Sequence, residues 1–269
     1  LLPLGQVKGA ADTIDVGHVL DEHDRVIHRS IYAAFGRSAD AANIIQGIRT
    51  FRSGRPHVRI VMHPSPKNGG AFIPCEGRLE AMAATSFDID PDVRRYRGQP
   101  FEIKSRTESK YVPDFVVEHH DGTMTVVDVK PMGRLLNPTV TDRMRSIRRE
   151  LLRADLRHAL ITEVALEAQP ARQIRDCLRR GCRVELSLID RKRLLSHLGN
   201  SRLTVSECRE RAVALGLDPY AVEKLALLGD ITFPITTTWS EFAQLEVLHE
   251  PDQTIAAGRG SVRDVRIAL

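Results

Sequence analysis

With 269 residues, the chain can bury a sizeable core in one or two domains. Its 39 Lys and Arg against 35 Asp and Glu leave a formal charge of only +4, so the placement of charge says more than its sum. No apolar run approaches a bilayer span, and Cys75, Cys177, Cys182 and Cys208 lack the paired spacing of a zinc ribbon or a disulfide framework, so neither a membrane-spanning chain nor a disulfide-stapled one is expected.

A reducing cytoplasm is the expected compartment, although the chain begins at Leu1 rather than Met, which weakens any inference from the lack of a targeting segment. Ser38 to Phe51 reads as an N-capped helix, Arg52 to Pro56 as a turn and His57 to His63 as a strand, a lead-in with no chemistry of its own. Gly77-Arg78-Leu79-Glu80 opens a helix that runs through Phe87, Asp90-Pro91 breaks it, and Val93 to Ile103 follows. Tyr111 to Glu118 and Thr123 to Lys130 are β-rich runs on either side of Asp121-Gly122, a hairpin turn signal. His119-His120 beside that turn reads as a solvent-facing pair, and the ten histidines form no HExxH-like array.

The hairpin carries the chemistry. Alternate residues of a strand share a face, so Asp128 and Lys130 project together, and Asp114, following Pro113 near the start of the partner strand, converges with them. Paired carboxylates suit a hard cation, Mg²⁺ or Mn²⁺ as one or two ions, which also bridges to phosphate oxygens. Lys130 would orient or help deprotonate an attacking water, or stabilise charge as a P–O bond breaks. The same spacing also describes a strand end with ordinary surface charges. Upstream, Glu80 is a candidate third carboxylate. Glu76, four residues earlier, would share its helix face if the helix starts early, and otherwise serves the helix N-terminus.

Asn137-Pro138 to Arg157 reads as a helix carrying Arg143, Arg145, Arg148, Arg149, Arg153 and Arg157, with Met144, Ile147, Leu151 and Leu152 as its apolar stripe. Such a helix can track a phosphodiester backbone with salt-sensitive affinity, and the pattern equally describes a solvated amphipathic helix. His158 to Val164 reads as a strand. The pattern changes around Ala168 to Pro170: Ala171 to Arg180 reads as helix, Cys182 to Ile189 as strand and Asp190 to Leu198 as helix. Thr204 to Leu215 and Asp218 to Leu228 form two short helices joined at Gly216, followed by Ile231 to Thr236 as a wing strand and by Trp239 with Phe242 packing the end. The expected domains are 1–167, 168–250 and a flexible tail at 251–269.

The order of these pieces resembles the PD-(D/E)xK nucleases, specifically the TnsA-family endonucleases of heteromeric, Tn seven-like transposases. LEAMAATSFDIDPDVRRYRGQP holds Glu80 and Gln99-Pro100, and PDFVVEHHDGTMTVVDVKP holds Asp114, Asp128 and Lys130. The resemblance is clear from Cys75 to Arg134 and weakens on both sides. It implies an α/β fold, with a restriction-endonuclease-like mixed-sheet core and a smaller, mostly helical, winged-helix-like C-terminal domain that engages partners or DNA. It also implies that Glu80, Asp114 and Asp128 surround the metals and that Lys130 is the catalytic lysine. Glu80 fits the family better than Glu76, from its place after Leu79 and its distance to Gln99. Gln99 would line the site or hydrogen-bond a strand end. Some family members have Gln at the position of Asp128, and an acid there is the ordinary nuclease pattern.

By this resemblance the chain would cut the non-transferred strand at the 5′ ends of a transposon. It would work on double-stranded DNA beside a TnsB-like DDE transposase and a TnsC-like AAA+ ATPase, associating with the bacterial nucleoid when it acts. A stand-alone nuclease of defence or repair is one alternative. A non-catalytic DNA-binding assembly factor that keeps the fold as a scaffold is another, and the complete acidic set argues against it.

Overall fold

In the computed structural model, residues 20–49, 59–90, 92–104, 110–199, 201–233 and 238–247 are described. The first helix, α1 (Glu22–Phe35), starts at a reciprocal capping box: Asp21 accepts from the Asp24 amide and Asp24 accepts from the Asp21 amide. Ile27, Ile31 and Phe35, spaced by four, bury one face. The helix expected from Ser38 to Phe51 is absent over its described part. Asp40 Oδ1 takes the amides of Ala42 and Ile44 in a turn, Asn43 adopts φ 57°, and Ile44 bridges to Phe72. Residues 50–58, which hold the expected Arg52 to Pro56 turn and the start of the expected His57 strand, lie outside the described residues.

Strand β1 (Ile60–Pro64) pairs antiparallel with β2 (Phe72–Glu76) across a 3-10 turn at Pro66–Asn68. Helix α2 (Arg78–Ile89) is buried from Glu80 to Asp88. Its small residues Ala81, Ala83 and Ala84 enter the core closely, and Phe87 makes edge contacts with Tyr96 and Phe115 at 5.2 and 5.3 Å. The main sheet is built from β3 (Val93–Gly98), β4 (Phe115–His119), β5 (Met124–Val129) and β6 (Arg157–Ile161), in that spatial order. The first three are antiparallel and β5–β6 is parallel, so the sheet is mixed. In the segment from Val93 to Ile103 the strand covers Val93–Gly98, and the expected β-rich run from Tyr111 joins the ladder at Phe115; Ile103 and Tyr111 meet in an isolated bridge.

The β5–β6 crossover runs through α3 (Met132–Leu135) and α4 (Pro138–Arg153). Helix α4 ends four residues earlier than expected, so Arg157 belongs to β6. Leu152 is not part of the buried stripe, being 55 % exposed; the buried fourth position is Glu150, whose carboxylate meets His23 of α1 at 2.7 Å. Phe115, Val117, Val127 and Val129 pack with α2 on one sheet face, while Val116 and Val126 pack with Ile27, Ile31, Ile147 and Leu151 of α1 and α4 on the other. The result is a mixed α/β sandwich of helix, sheet and helix layers.

Beyond it come α5 (Glu163–Glu167), α6 (Ala171–Leu178), a 3-10 turn at Gly181–Arg183, α7 (Leu188–Leu198), β7 (Leu203–Thr204), α8 (Val205–Ala214), α9 (Ala221–Leu228), β8 (Ile231–Thr232) and β9 (Gln244–Val247). The three short strands lie in the order β7-β9-β8 and share a second core with α6, α7, α8 and α9, while Leu166 of α5 belongs to the first. No strand forms over Cys182 to Ile189. Gly181 is pressed against α9, where an added Cβ would stand 2.5 Å from the Lys224 amide nitrogen. Leu188 and Ile189 instead form the exposed first turn of α7, capped by Ser187. Trp239 is buried against Phe233, whereas Phe242 is 83 % exposed and does not close the end. Residues 234–237, part of the expected wing strand, and all residues from 248 onward, with the expected tail, lie outside the described residues. Among the described residues no helix is long and apolar enough to cross a membrane.

Candidate active site

Asp114 immediately precedes β4, Lys130 immediately follows β5, and Gln99 immediately follows β3. Backbone bonds set their register: the Gln99 amide donates to the Asp114 carbonyl at 2.8 Å, and the Lys130 amide donates to the Ile161 carbonyl at 2.9 Å. Side chains then converge. Lys130 Nζ lies 2.6 Å from Asp114 Oδ2 and 3.3 Å from Asp128 Oδ1. Asp114 Oδ2 also accepts the Val129 amide at 2.7 Å. The convergence expected of Asp114, Asp128 and Lys130 is therefore present.

Glu80 enters from the first turn of α2, its Oε2 accepting the Glu76 amide at 2.6 Å. Glu76 is not on the helix face but at the end of β2, with Arg49 at 3.6 Å. Burial pushes the Glu80 carboxyl up to about 8, and the charge of Asp114 adds to the shift. Burial likewise raises Asp114, partly offset by Lys130 and the Val129 amide. Asp128 differs. Burial pushes it up, but the hydrogen bond from His158, the charge of Lys130 and the hydrogen bond from Tyr111 together hold it below the ordinary carboxylate value. Lys130 is raised because Asp114 and Asp128 outweigh its burial. The cluster is open on the Asp114–Lys130 side, where the side chains are 13 and 27 % exposed, while that of Asp128 is 1 % exposed.

The donor types suit a hard divalent cation, although the ligand oxygens of Glu80, Asp114 and Asp128 do not all stand within 4.8 Å of one another, so an ion shared by all three would draw them together. The donors are carboxylate oxygens, and two of the three acids hold their protons above the ordinary range because their charges are crowded and desolvated, a penalty that a cation removes.

Two residues of the site escaped the sequence reading. Asp128 Oδ2 accepts the Tyr111 hydroxyl at 2.5 Å and faces His158 Nε2 at 2.9 Å. His158 comes into reach only through the parallel register, with Val126 opposite His158 and Asp128 opposite Leu160, which local pattern does not reveal. Gln99 stands beside Asp114 through its backbone, with φ 41° and a side chain 2 % exposed. Neither its Oε1 nor its Nε2 has a hydrogen-bond partner among the described residues, so it does not tie off a strand end through its amide.

On α4, Arg145, Arg148 and Arg149 are exposed while Met144, Ile147 and Leu151 are buried. Arg145 pairs with Asp142 at 3.0 Å, and Arg143 donates to the Lys110 carbonyl at 2.8 Å. A separate cluster, His63, Asp88 and Cys182, has donor atoms within 4.8 Å of one another. A scan against protein-family models finds no match to this chain, and a search of the curated proteins finds none.

Proposed function

We propose that this chain is a Mg²⁺-dependent endodeoxyribonuclease with a restriction-endonuclease-like core. The observation that carries the reading is the convergence of Asp114, Asp128 and Lys130 from two strand ends on one open-sided cluster, with Glu80 on the first turn of α2 near enough for the charge of Asp114 to raise its carboxyl. Glu80, Asp114 and Asp128 would hold one or two Mg²⁺ or Mn²⁺ ions, which when bound activate water and offset phosphate charge. Lys130, with its ammonium against both aspartates, supplies a cation beside the scissile phosphate and a donor to the attacking water. Tyr111 and His158 hold Asp128 ionised and in one orientation. Hydrolysis of the P–O3′ bond would leave a 5′ phosphate.

The motif resemblance from Cys75 to Arg134 supports a finer reading: cleavage of the non-transferred strand at transposon 5′ ends, with a TnsB-like transposase and a TnsC-like ATPase as partners. The arginines of α4, on the crossover that leaves Lys130, support contact with the DNA backbone. In the C-terminal unit, the helices α7, α8 and α9 with the strand order β7-β9-β8 support a winged-helix reading. Helix α9 would be the groove-reading helix of such a module, yet it buries Ala221, Val222, Leu225 and Leu227 and packs on α6, α2 and the Gly181–Arg183 turn. That favours protein contact or scaffolding over base reading for this unit.

The test is strand-specific nicking of candidate transposon-end DNA in Mg²⁺, with and without the cognate transposase, comparing wild type with Asp114→Ala. Partner-dependent and Asp114-dependent 5′-end cutting is expected. Cutting without a partner would favour a stand-alone nuclease, and cutting that ignores Asp114 in a competent complex would leave the chain a scaffold.

A further inference from the structure

His63 comes from β1, Asp88 from the last turn of α2, and Cys182 from the 3-10 turn Gly181–Arg183 of the C-terminal unit. All three are buried, at 3, 1 and 6 % exposure. Asp88 is two helical turns beyond Glu80 on α2, roughly 12 Å at 1.5 Å per residue, so this cluster is distinct from the carboxylates.

We propose that His63, Asp88 and Cys182 form a structural site for a tetrahedral transition-metal ion, Zn²⁺ above all, that ties the C-terminal unit to the sheet domain. The donor set separates this site from the first. Thiolate, imidazole and carboxylate are the donors zinc takes, whereas the oxygen-only set around Asp114 suits Mg²⁺. Charge agrees as well: one thiolate, one carboxylate and a neutral imidazole around a divalent cation sum to zero, which a buried cluster tolerates far better than a lone charge.

The surroundings orient the donors. Ser65 Oγ donates to Asp88 Oδ1 at 2.7 Å and the Tyr96 hydroxyl donates to Oδ2 at 3.1 Å, an outer shell of the kind that fixes a ligating carboxylate. The turn that carries Cys182 is wedged against α9 at Gly181, where a Cβ would meet the Glu223 carbonyl carbon at 2.6 Å. His63 Nε2 now lies 2.6 Å from Asp88 Oδ2. Two ligands at zinc-like bond lengths around a tetrahedral ion stand about 3.3 Å apart. Entry of the ion between these two donors therefore requires less than about 1 Å of spreading, with the imidazole as the Nδ1–H tautomer that frees Nε2 and with release of the thiol proton. Three protein donors leave the fourth corner to a water.

The experiment uses the full chain, purified without chelator, with zinc counted by plasma mass spectrometry and with Co²⁺ as a spectroscopic substitute. Asp114→Ala serves as the background, so that ions at the carboxylate cluster do not contribute. One zinc per chain is expected after dialysis, and Co²⁺ should give a near-ultraviolet thiolate charge-transfer band with intense tetrahedral visible bands. Cys182→Ser should abolish the charge-transfer band, and both Cys182→Ser and His63→Gln should weaken zinc binding by at least about 100-fold. Chelation should lower Tm in the Asp114→Ala background and leave Cys182→Ser in that background unchanged. No thiolate band at saturating Co²⁺, a band that survives Cys182→Ser, or undiminished zinc in a folded His63→Gln would overturn the site. The nuclease reading stands or falls separately, on Asp114-dependent cleavage.

Discussion

His158 Nε2 lies 2.9 Å from Asp128 Oδ2 across the parallel β5–β6 pair, and the Tyr111 hydroxyl donates to that same oxygen. Together they fix one oxygen of the carboxylate and leave Oδ1 toward Lys130 at 3.3 Å. Outer-shell partners of this kind typically tune metal affinity or activity by 10–100-fold, a scale of roughly 1–3 kcal/mol. Tyr111→Phe and His158→Asn should each raise the Mg²⁺ concentration for half-maximal cleavage by about 10-fold or more, with the rate at saturating Mg²⁺ within a few-fold of wild type. Mn²⁺ binding followed by electron paramagnetic resonance without DNA should show the same weakening. A rate loss that is equal at every Mg²⁺ concentration would assign the pair a different role.

Lys130 and Asp114 are separable by substitution. Asp114→Ala removes a carboxylate at the open side of the cluster and should abolish both calorimetric Mg²⁺ binding and cleavage. Lys130→Met leaves the carboxylates in place, so metal binding should persist while turnover falls by about 10²–10⁴-fold, the usual worth of a positioned proton-transfer group. Asp114 also loses the cation that lowers its pKa, so the acidic limb of any residual pH–rate profile should move to higher pH. Retained cutting in both variants would sink the site assignment.

The hairpin and its chemistry were legible because they rest on local rules. Asp121-Gly122 makes the turn, with Gly122 at φ 82°, and period-two alternation sets Asp128 beside Lys130. Where competing local bonds or distant packing decide, the reading failed. Ser38 to Phe51 reads as an N-capped helix, yet the Asp40 carboxylate closes a turn onto Ala42 and Ile44. The capped helix α1 was passed over, its apolar stripe blurred by the exposed Val26 and Tyr32. The apolar residues from Cys182 to Ile189 alternate as a strand would, yet the segment opens in the 3-10 turn Gly181–Arg183, held where Gly181 is pressed against α9, and closes in the first turn of α7. Tyr111 and His158 were invisible as partners of Asp128 for the same reason, since their meeting depends on a bridge to Ile103 and on a parallel register.

Glu80 gives the stability a pH dependence of unusual sign. Its carboxyl is pushed up to about 8 in the folded chain, against an ordinary value of 4.5. Between those values the folded state binds more protons than the unfolded one, so this group makes stability fall as pH rises across the window and level off above it. In metal-free buffer, Tm should decline from about pH 5 to about pH 8. Glu80→Gln keeps an acceptor for the Glu76 amide and should remove much of that decline, while Mg²⁺ should restore the Tm of wild type near pH 8. A wild-type and Glu80→Gln pair with parallel Tm profiles would mean that Glu80 ionises freely and is not crowded by Asp114.

The α4 arginines decide between a DNA-contacting surface and a merely solvated one. Arg145, Arg148 and Arg149 are exposed, while the packing of α4 rests on Met144, Ile147 and Leu151, so replacing all three arginines with alanine leaves the buried face intact. Each lost phosphate contact should reduce the slope of log affinity against log salt by about 0.9 on duplex DNA, or up to about 2.7 for the triple variant. Non-cognate duplexes should lose affinity to a similar degree, because phosphate contacts carry little sequence information. Fluorescence anisotropy over a salt series makes the measurement directly, and a slope unchanged from wild type would assign these arginines to solvation of α4 and move the DNA path elsewhere.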